Sequence, residues 1–265
     1  MIRLIFVAFS IAVMGKISMR EVEVEKKELK ELTEPTNTIN SDLLAIDFCG
    51  EVVPLTEPRI AQRYQTMIRN YDTPKFRKLM TSTEKRMKTI ETILKKYGVP
   101  ADFKYIPIIE SAMSDDVTSH RGAKGYWQFM PLTAKSLGLV INDTRDDRKH
   151  LVKSTHAAGK YLRRLHHQLG SWTLVAAAYN AGPQHIQDRM NAQKKDDYFK
   201  LKLNAETTKY MYKLVAVKEW FSNPKRSREW GSGEVVDRLA ELRLDKKNAL
   251  AKPEPKILAR LETDS

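Results

Sequence analysis

Apolar residues recur every three or four positions through most of the stretch from residue 58 to 221, the spacing of one helix face. Ile60, Tyr64, Ile68 and Tyr71 mark a helix beginning near Pro58. Met87, Ile90, Ile93 and Leu94 mark a second, expected from an N-cap at Ser82 to Tyr97, where Gly98-Val99-Pro100 ends it. Ala158, Tyr161, Leu162 and Leu165 give a helix over 155–169 whose remaining positions are rich in His, Lys and Arg. Further helices are predicted at 172–179 and 206–221. Alternating patterns that would mark strands are nearly absent, so the fold class expected is all-α.

The flanks differ in pattern. Residues 4–14 are apolar apart from Ser10, follow Arg3 and precede the small Gly15. That length suits a secretory signal and is short for a membrane span. Residues 1–15 are therefore predicted to be a cleaved signal peptide, which places the protein in the periplasm or cell envelope. Residues 16–57 are predicted to be a polar linker, with a short exposed helix near 21–32 and irregular chain at 33–40. Residues 58–221 form the expected domain. Residues 222–265 are expected to be a charged tail, with an amphipathic helix at 235–250 broken by Pro253 and Pro255. No internal repeat is present. A chain of 265 residues can bury a sizeable core. Its net charge of +13 predicts attraction to polyanions. The export signal directs that expectation to the envelope, with peripheral contact there, and away from nucleic acid. Cys49 is the only cysteine, so no internal disulfide forms, and a small core residue or free thiol is expected there.

The chemistry narrows the choice. Glu110 follows Tyr105-Ile106-Pro107-Ile108-Ile109, an unusually apolar lead-in for a carboxylate. Such surroundings disfavour the charged form and raise the pKa, which a general acid needs near neutral pH. Most glycosidases pair two carboxyls. Asp115, Asp116, Asp143, Asp146 and Asp147 all sit in polar, turn-like stretches and are expected to cap and solvate loops. A single-carboxyl site is the outcome. His166 and His167 are adjacent and point differently on a helix, so no metal site is expected.

Three blocks extend this picture. They are Glu110-Ser111, the turn from Gly122 through Ala123, Gly125, Tyr126, Trp127, Gln128 and Met130, and Ala178-Tyr179-Asn180-Ala181-Gly182. Together they resemble the soluble-lytic-transglycosylase type of murein-cleaving enzyme, most closely the membrane-bound lytic murein transglycosylase D group. The resemblance covers roughly residues 60 to 220 and implies a goose-type-lysozyme-like fold without a cofactor. It also implies cleavage of the bond between N-acetylmuramic acid and N-acetylglucosamine in peptidoglycan glycan strands, giving 1,6-anhydromuramic ends. Glu110 would serve as acid and then as base. The resemblance makes Ser111, Ser119, Gln128, Met130, Tyr179, Asn180 and Glu206 the expected substrate-binding residues. Tyr179 would bring its hydroxyl near the acid, and Asn180 would bond substrate or fix the turn. Glu206 and Tyr210 match a further family element, in which Thr208 replaces arginine. Tyr126 replaces a leucine. In the block from Asp146 to Thr155, His150 stands where the family has aspartate, so the local hydrogen-bond network is expected to differ. Ser154 or Thr155 is expected to cap the next helix. The alternatives are a lysozyme-type hydrolase on the same fold and a catalytically silent glycan-binding scaffold.

Overall fold

Two prolines just inside helix starts set the first turn of the architecture. The computed structural model describes the backbone of residues 39–251 and the side chains of 39–247. The expected signal peptide, the helix near 21–32, most of the 33–40 segment and the proline break at 253–255 lie outside these residues. Helix α1 spans Ser41–Leu44, followed by a short antiparallel pair, β1 (Asp47–Phe48) and β2 (Glu51–Val52). Helix α2 spans Pro58–Tyr71 and α3 spans Pro74–Lys95, each with proline in its first turn, where no N–H is needed. The buried residues of α2, Ile60, Ala61, Tyr64 and Ile68, fall on the predicted stripe.

The start of α3 differs from expectation. Thr73 is the cap, accepting the Phe76 N–H at 3.1 Å. Ser82 lies mid-helix with its hydroxyl on the Leu79 carbonyl at 3.0 Å. The pairing of Thr73 with Pro74 was the start signal in the sequence. A 3-10 turn at Ala101–Tyr105 then leads into the short α4 (Ile106–Ser111). Helix α5 (Pro131–Ser136) follows the Gly-rich turn, and α6 spans Leu151–Leu169. Its cap is His150, whose Nδ1 accepts the Lys153 N–H. Ser154 and Thr155, the expected caps, are buried one turn further on, donating to the His150 and Leu151 carbonyls.

Helix α7 (Trp172–Ala181) is the centre. Every residue from Thr173 to Ala178 is buried, as a helix apolar on all faces must be. It packs against α6, α8 (Pro183–Gln193) and α9 (Ala205–Ser222), and α9 in turn lies along α2. Helices α10 (Pro224–Ser232) and α11 (Glu234–Ala251) complete the chain. Helices dominate, and the two-residue ladder is the only paired sheet among the described residues, so the fold is all-α.

Both outer boundaries of the expected domain move. The predicted linker ending at 57 contributes Ile46, Phe48, Val53 and Leu55, each about fully buried in the common core. The predicted tail from 222 contributes Trp230, Val235 and Leu239. The two segments meet. Trp230 Nε1 donates to the Leu43 carbonyl at 2.9 Å, and Arg226 Nη1 donates to the Asp42 carbonyl at 2.9 Å. Arg226 also holds the buried Glu219 carboxylate at 2.7 Å. Trp230→Phe removes one hydrogen bond and leaves the Leu43 carbonyl unpaired, a cost of about 1–2 kcal/mol. Urea unfolding checks this: a tail outside the domain would show no change in midpoint.

Candidate active site

Glu110 stands in the last turn of α4, and the chain stops that helix abruptly. Ala112 and Met113 both take left-handed backbone angles, φ 50° and 60°. Their N–H groups return to the carbonyls of Ile108 (3.1 Å) and Pro107 (2.9 Å), closing the helix end. Such angles cost non-glycine residues energy, and they are held here by the buried Met113 side chain. Ile106, Pro107 and Ile108 anchor the helix in the core and leave Glu110 half-buried at its end.

Burial is the main influence on the Glu110 carboxyl and pushes its pKa above the ordinary 4.5. The Tyr210 hydroxyl opposes this, donating to Oε1 at 2.6 Å. Lys213 also pulls the pKa down, and the charge of Glu206 pushes it up. Glu206, Tyr210 and Lys213 share one face of α9, at i, i+4 and i+7. Tyr210, which matches the family element without a role of its own there, is thus the hydrogen-bond partner of Glu110. Its spacing from Glu206 was the signal available.

Tyr179 lies near Glu110 without bonding to it. Its ring packs among Trp127, Phe129 and Tyr161, with centroids 6.4, 6.1 and 5.9 Å away. Its hydroxyl donates to the Trp127 carbonyl at 2.5 Å, so Tyr210 is the tyrosine bonded to the acid. Tyr179 remains near enough for the charge of Glu110 to raise its own pKa, after burial. Asn180 lies at the exposed edge, with Nδ2 3.4 Å from Glu206 Oε1. Glu206 itself is exposed.

The Gly-rich turn forms the wall behind the acid. Ser111 does not face outward. Its hydroxyl is buried, 3.0 Å from the Pro107 carbonyl and 3.1 Å from the Tyr126 carbonyl, and so ties α4 to the turn. Gln128, at φ 48°, commits its amide nitrogen to the Val117 and Gly125 carbonyls, both at 2.9 Å. Ser119 closes the other limb, its hydroxyl accepting the Ala123 N–H at 3.0 Å. Ser111, Ser119 and Gln128 thus shape the turn. Met130, 41% exposed, stands at the start of α5.

A salt-bridged plug locks the turn from beneath. Arg148, 6% exposed, donates to the Gly122 (2.8 Å) and Phe129 (3.1 Å) carbonyls and pairs with Asp146 at 2.7 Å. The hydrogen bonds from Arg148 hold the Asp146 pKa down. Gly125 packs against the backbone of Arg148. Asp147 accepts from Arg145, Lys153 and the Val140 N–H, and Arg145 foremost holds its pKa far down. His150, in place of the family's aspartate, caps α6 beside this network. Trp127 Nε1 fixes the turn to α6 through Thr155 Oγ1 at 3.0 Å.

Asp115 and Asp116 are exposed, and Asp116 pairs with Lys149 at 2.6 Å. His166 stacks on Trp172 at 3.8 Å. Among the described residues no group of three or more His, Cys, Asp or Glu is arranged to hold a metal ion. Cys49 is a free thiol whose pKa burial pushes up.

The chain is similar to several known proteins. The family described as Transglycosylase SLT domain matches residues 88–202, which contain Glu110, the turn and Tyr179. The chain is 31% identical over 187 residues to membrane-bound lytic murein transglycosylase D of Escherichia coli (strain K12), covering 68% of this chain and 41% of that protein. The same protein of Escherichia coli O6:H1 matches equally. The chain thus spans less than half the length of these relatives. A solved structure of an inactive mutant of lytic transglycosylase Slt from Pseudomonas aeruginosa aligns with TM-score 0.44 at 21% identity. That alignment covers 64% of this chain and 30% of that one.

Proposed function

Since residues 88–202 belong to the transglycosylase SLT domain family, we propose that this chain is a lytic transglycosylase that cleaves murein, with Glu110 acting as acid and then as base. The observation that carries the reading is the Glu110 carboxyl: half-buried, with a raised pKa, and bonded on one oxygen by Tyr210. Burial also raises the pKa of Glu219, but its carboxylate is ion-paired with Arg226, whereas Glu206, which acts on Glu110, is exposed.

In the first step the protonated Glu110 gives its proton to the oxygen linking N-acetylmuramic acid to N-acetylglucosamine, and the C1–O bond breaks. The carboxylate so formed is stabilised by the Tyr210 hydroxyl. In the second step it takes the proton of the muramoyl C6 hydroxyl, whose oxygen closes on C1. The product is a 1,6-anhydromuramic end, no water is consumed, and Glu110 is again protonated. An intramolecular nucleophile removes the need to fix a water, an entropic gain. Glu206 and Asn180, at the exposed edge, are assigned to sugar contacts, and Met130 to apolar contact with a sugar face. Ser111, Ser119 and Gln128 support the reaction by holding the wall. Envelope localisation after export completes the reading.

Mass spectrometry of purified peptidoglycan digested by the chain tests it. Anhydro-muropeptides support the proposal. Ordinary reducing ends mean a hydrolase, and binding without products means a silent scaffold. Tyr210→Phe is expected to lower turnover roughly ten- to a hundredfold, the worth of a hydrogen bond to a charged group. Because that bond holds the Glu110 pKa down, and Glu110 must start protonated, its loss should move the alkaline limb of the pH–rate profile to higher pH. An unshifted limb would separate Tyr210 from the acid.

A further inference from the structure

Helix α6 carries a second feature, away from the acid. None of its nineteen positions is Asp or Glu. Lys160, Arg163, Arg164, His167 and Gln168 fall at i, i+3, i+4, i+7 and i+8, a stripe of the kind that usually meets a core. Here that stripe lines a cavity of about 450 Å³, with Tyr97 as its remaining wall.

The wall is fixed. Tyr97 shares a hydrogen bond with His156 Nδ1 at 2.8 Å, and its ring lies so close to Gly159 that a Cβ there would stand 2.3 Å from it. The cations are not neutralised. Nearby, Arg148, Lys149 and Lys153 each pair with an aspartate. No such pair is formed by Lys160, Arg163 or Arg164 among the described residues. Like charges at this spacing repel, and a bound anion would relieve that repulsion. Arg163 and Arg164 both line the cavity, and a guanidinium is suited to an oxyanion, which it can grip with paired N–H donors.

The stripe adjoins the aromatic cluster that packs under the Gly-rich turn. Arg164 lies over the ring of Tyr161 at 5.3 Å, and Tyr161 packs against Tyr179 at 5.9 Å. Murein is a polymer whose peptide branches carry carboxylates, the charge that this stripe complements.

We propose that Lys160, Arg163 and Arg164, with Tyr97, form an accessory site that binds carboxylates of the peptide branches of the glycan strand held at Glu110. This rests on the murein reading above and adds a preference for strands whose branches keep their negative charge. The test is binding, measured on the full chain carrying Glu110→Gln so that the polymer survives. Co-sedimentation is compared on murein with free branch carboxylates and on the same murein after their conversion to amides. Lys160→Ala with Arg163→Ala should weaken binding to the free-carboxylate polymer roughly tenfold, as two exposed charge pairs would. Both proteins should bind the amidated polymer alike, and Arg163→Lys should retain most of the affinity. An equal loss on both polymers, or none on either, overturns the proposal. So does tighter binding to phosphatidylglycerol vesicles than to murein, lost with the same substitutions, which would give the stripe to a lipid surface. Because binding is read with the acid removed, a failure to find anhydro ends elsewhere leaves this result interpretable.

Discussion

Glu110→Gln is expected to lower turnover of murein by about 10²–10⁴-fold, the contribution of a positioned general acid–base group, while leaving the chain more stable at neutral pH. The two effects share a cause. Burial raises the pKa of this carboxyl, so the folded chain holds the proton more tightly than the unfolded chain does. Ionisation therefore opposes folding. That opposition is absent below the unfolded value, about pH 4, where both states are protonated, and is complete once the pH exceeds the folded pKa. The amide cannot ionise. Its melting temperature should exceed the parent's at pH 7 and converge with it as the pH falls towards 4. A variant that is inactive and also less stable at pH 7 would mean that Glu110 serves the fold, and the catalytic reading would fall.

The largest expected stability loss lies elsewhere, at Gly125→Ala. Gly125 has φ 75°, and a Cβ there would stand 2.1 Å from the Arg148 carbonyl oxygen and 2.6 Å from its carbon. The neighbour is backbone, so no side chain can swing aside. A left-handed alanine and a forced shift of the plug each cost about 1–3 kcal/mol, giving a loss of about 4 kcal/mol. Gly122→Ala is the matched control. Its φ is 82°, but nothing lies within 4 Å of the added carbon, so only the conformational cost of about 1 kcal/mol applies. Urea unfolding of both variants checks the difference. Equal midpoints would show that Arg148 does not lock the turn.

The sequence made some of this legible because certain signals are local. The stripes of α2, α6 and α9, the apolar approach to Glu110 and the glycines of the turn all declare themselves within a few residues. What stayed hidden depends on partners far along the chain. Ile46, Phe48, Val53 and Leu55 look like scattered apolar residues in an acidic stretch until the common core, Phe103 against Phe48 among it, is brought beside them. Ser111 could face either way, and only the carbonyl of Tyr126 fifteen residues later shows that it faces inward. That Tyr210, and not Tyr179, bonds the Glu110 carboxyl was hidden because both tyrosines, on different helices, approach it, and periodicity cannot rank them. Arg148 looked like one charge in a polar loop, whereas its guanidinium is the buried support of the whole turn.

The hydrogen bonds from Arg226 and Trp230 to the backbone of residues 42–45 have a topological meaning. They bring the entrance of the domain beside α10, one helix short of its exit. A permuted gene that keeps Val235 and Leu239 in the core would therefore need a bridge long enough to run back along α11 to residue 41, with new ends opened at an exposed loop such as Asn142–Thr144. By the same geometry, a host protein that accepts the domain in one of its loops must supply linkers long enough to span that helix.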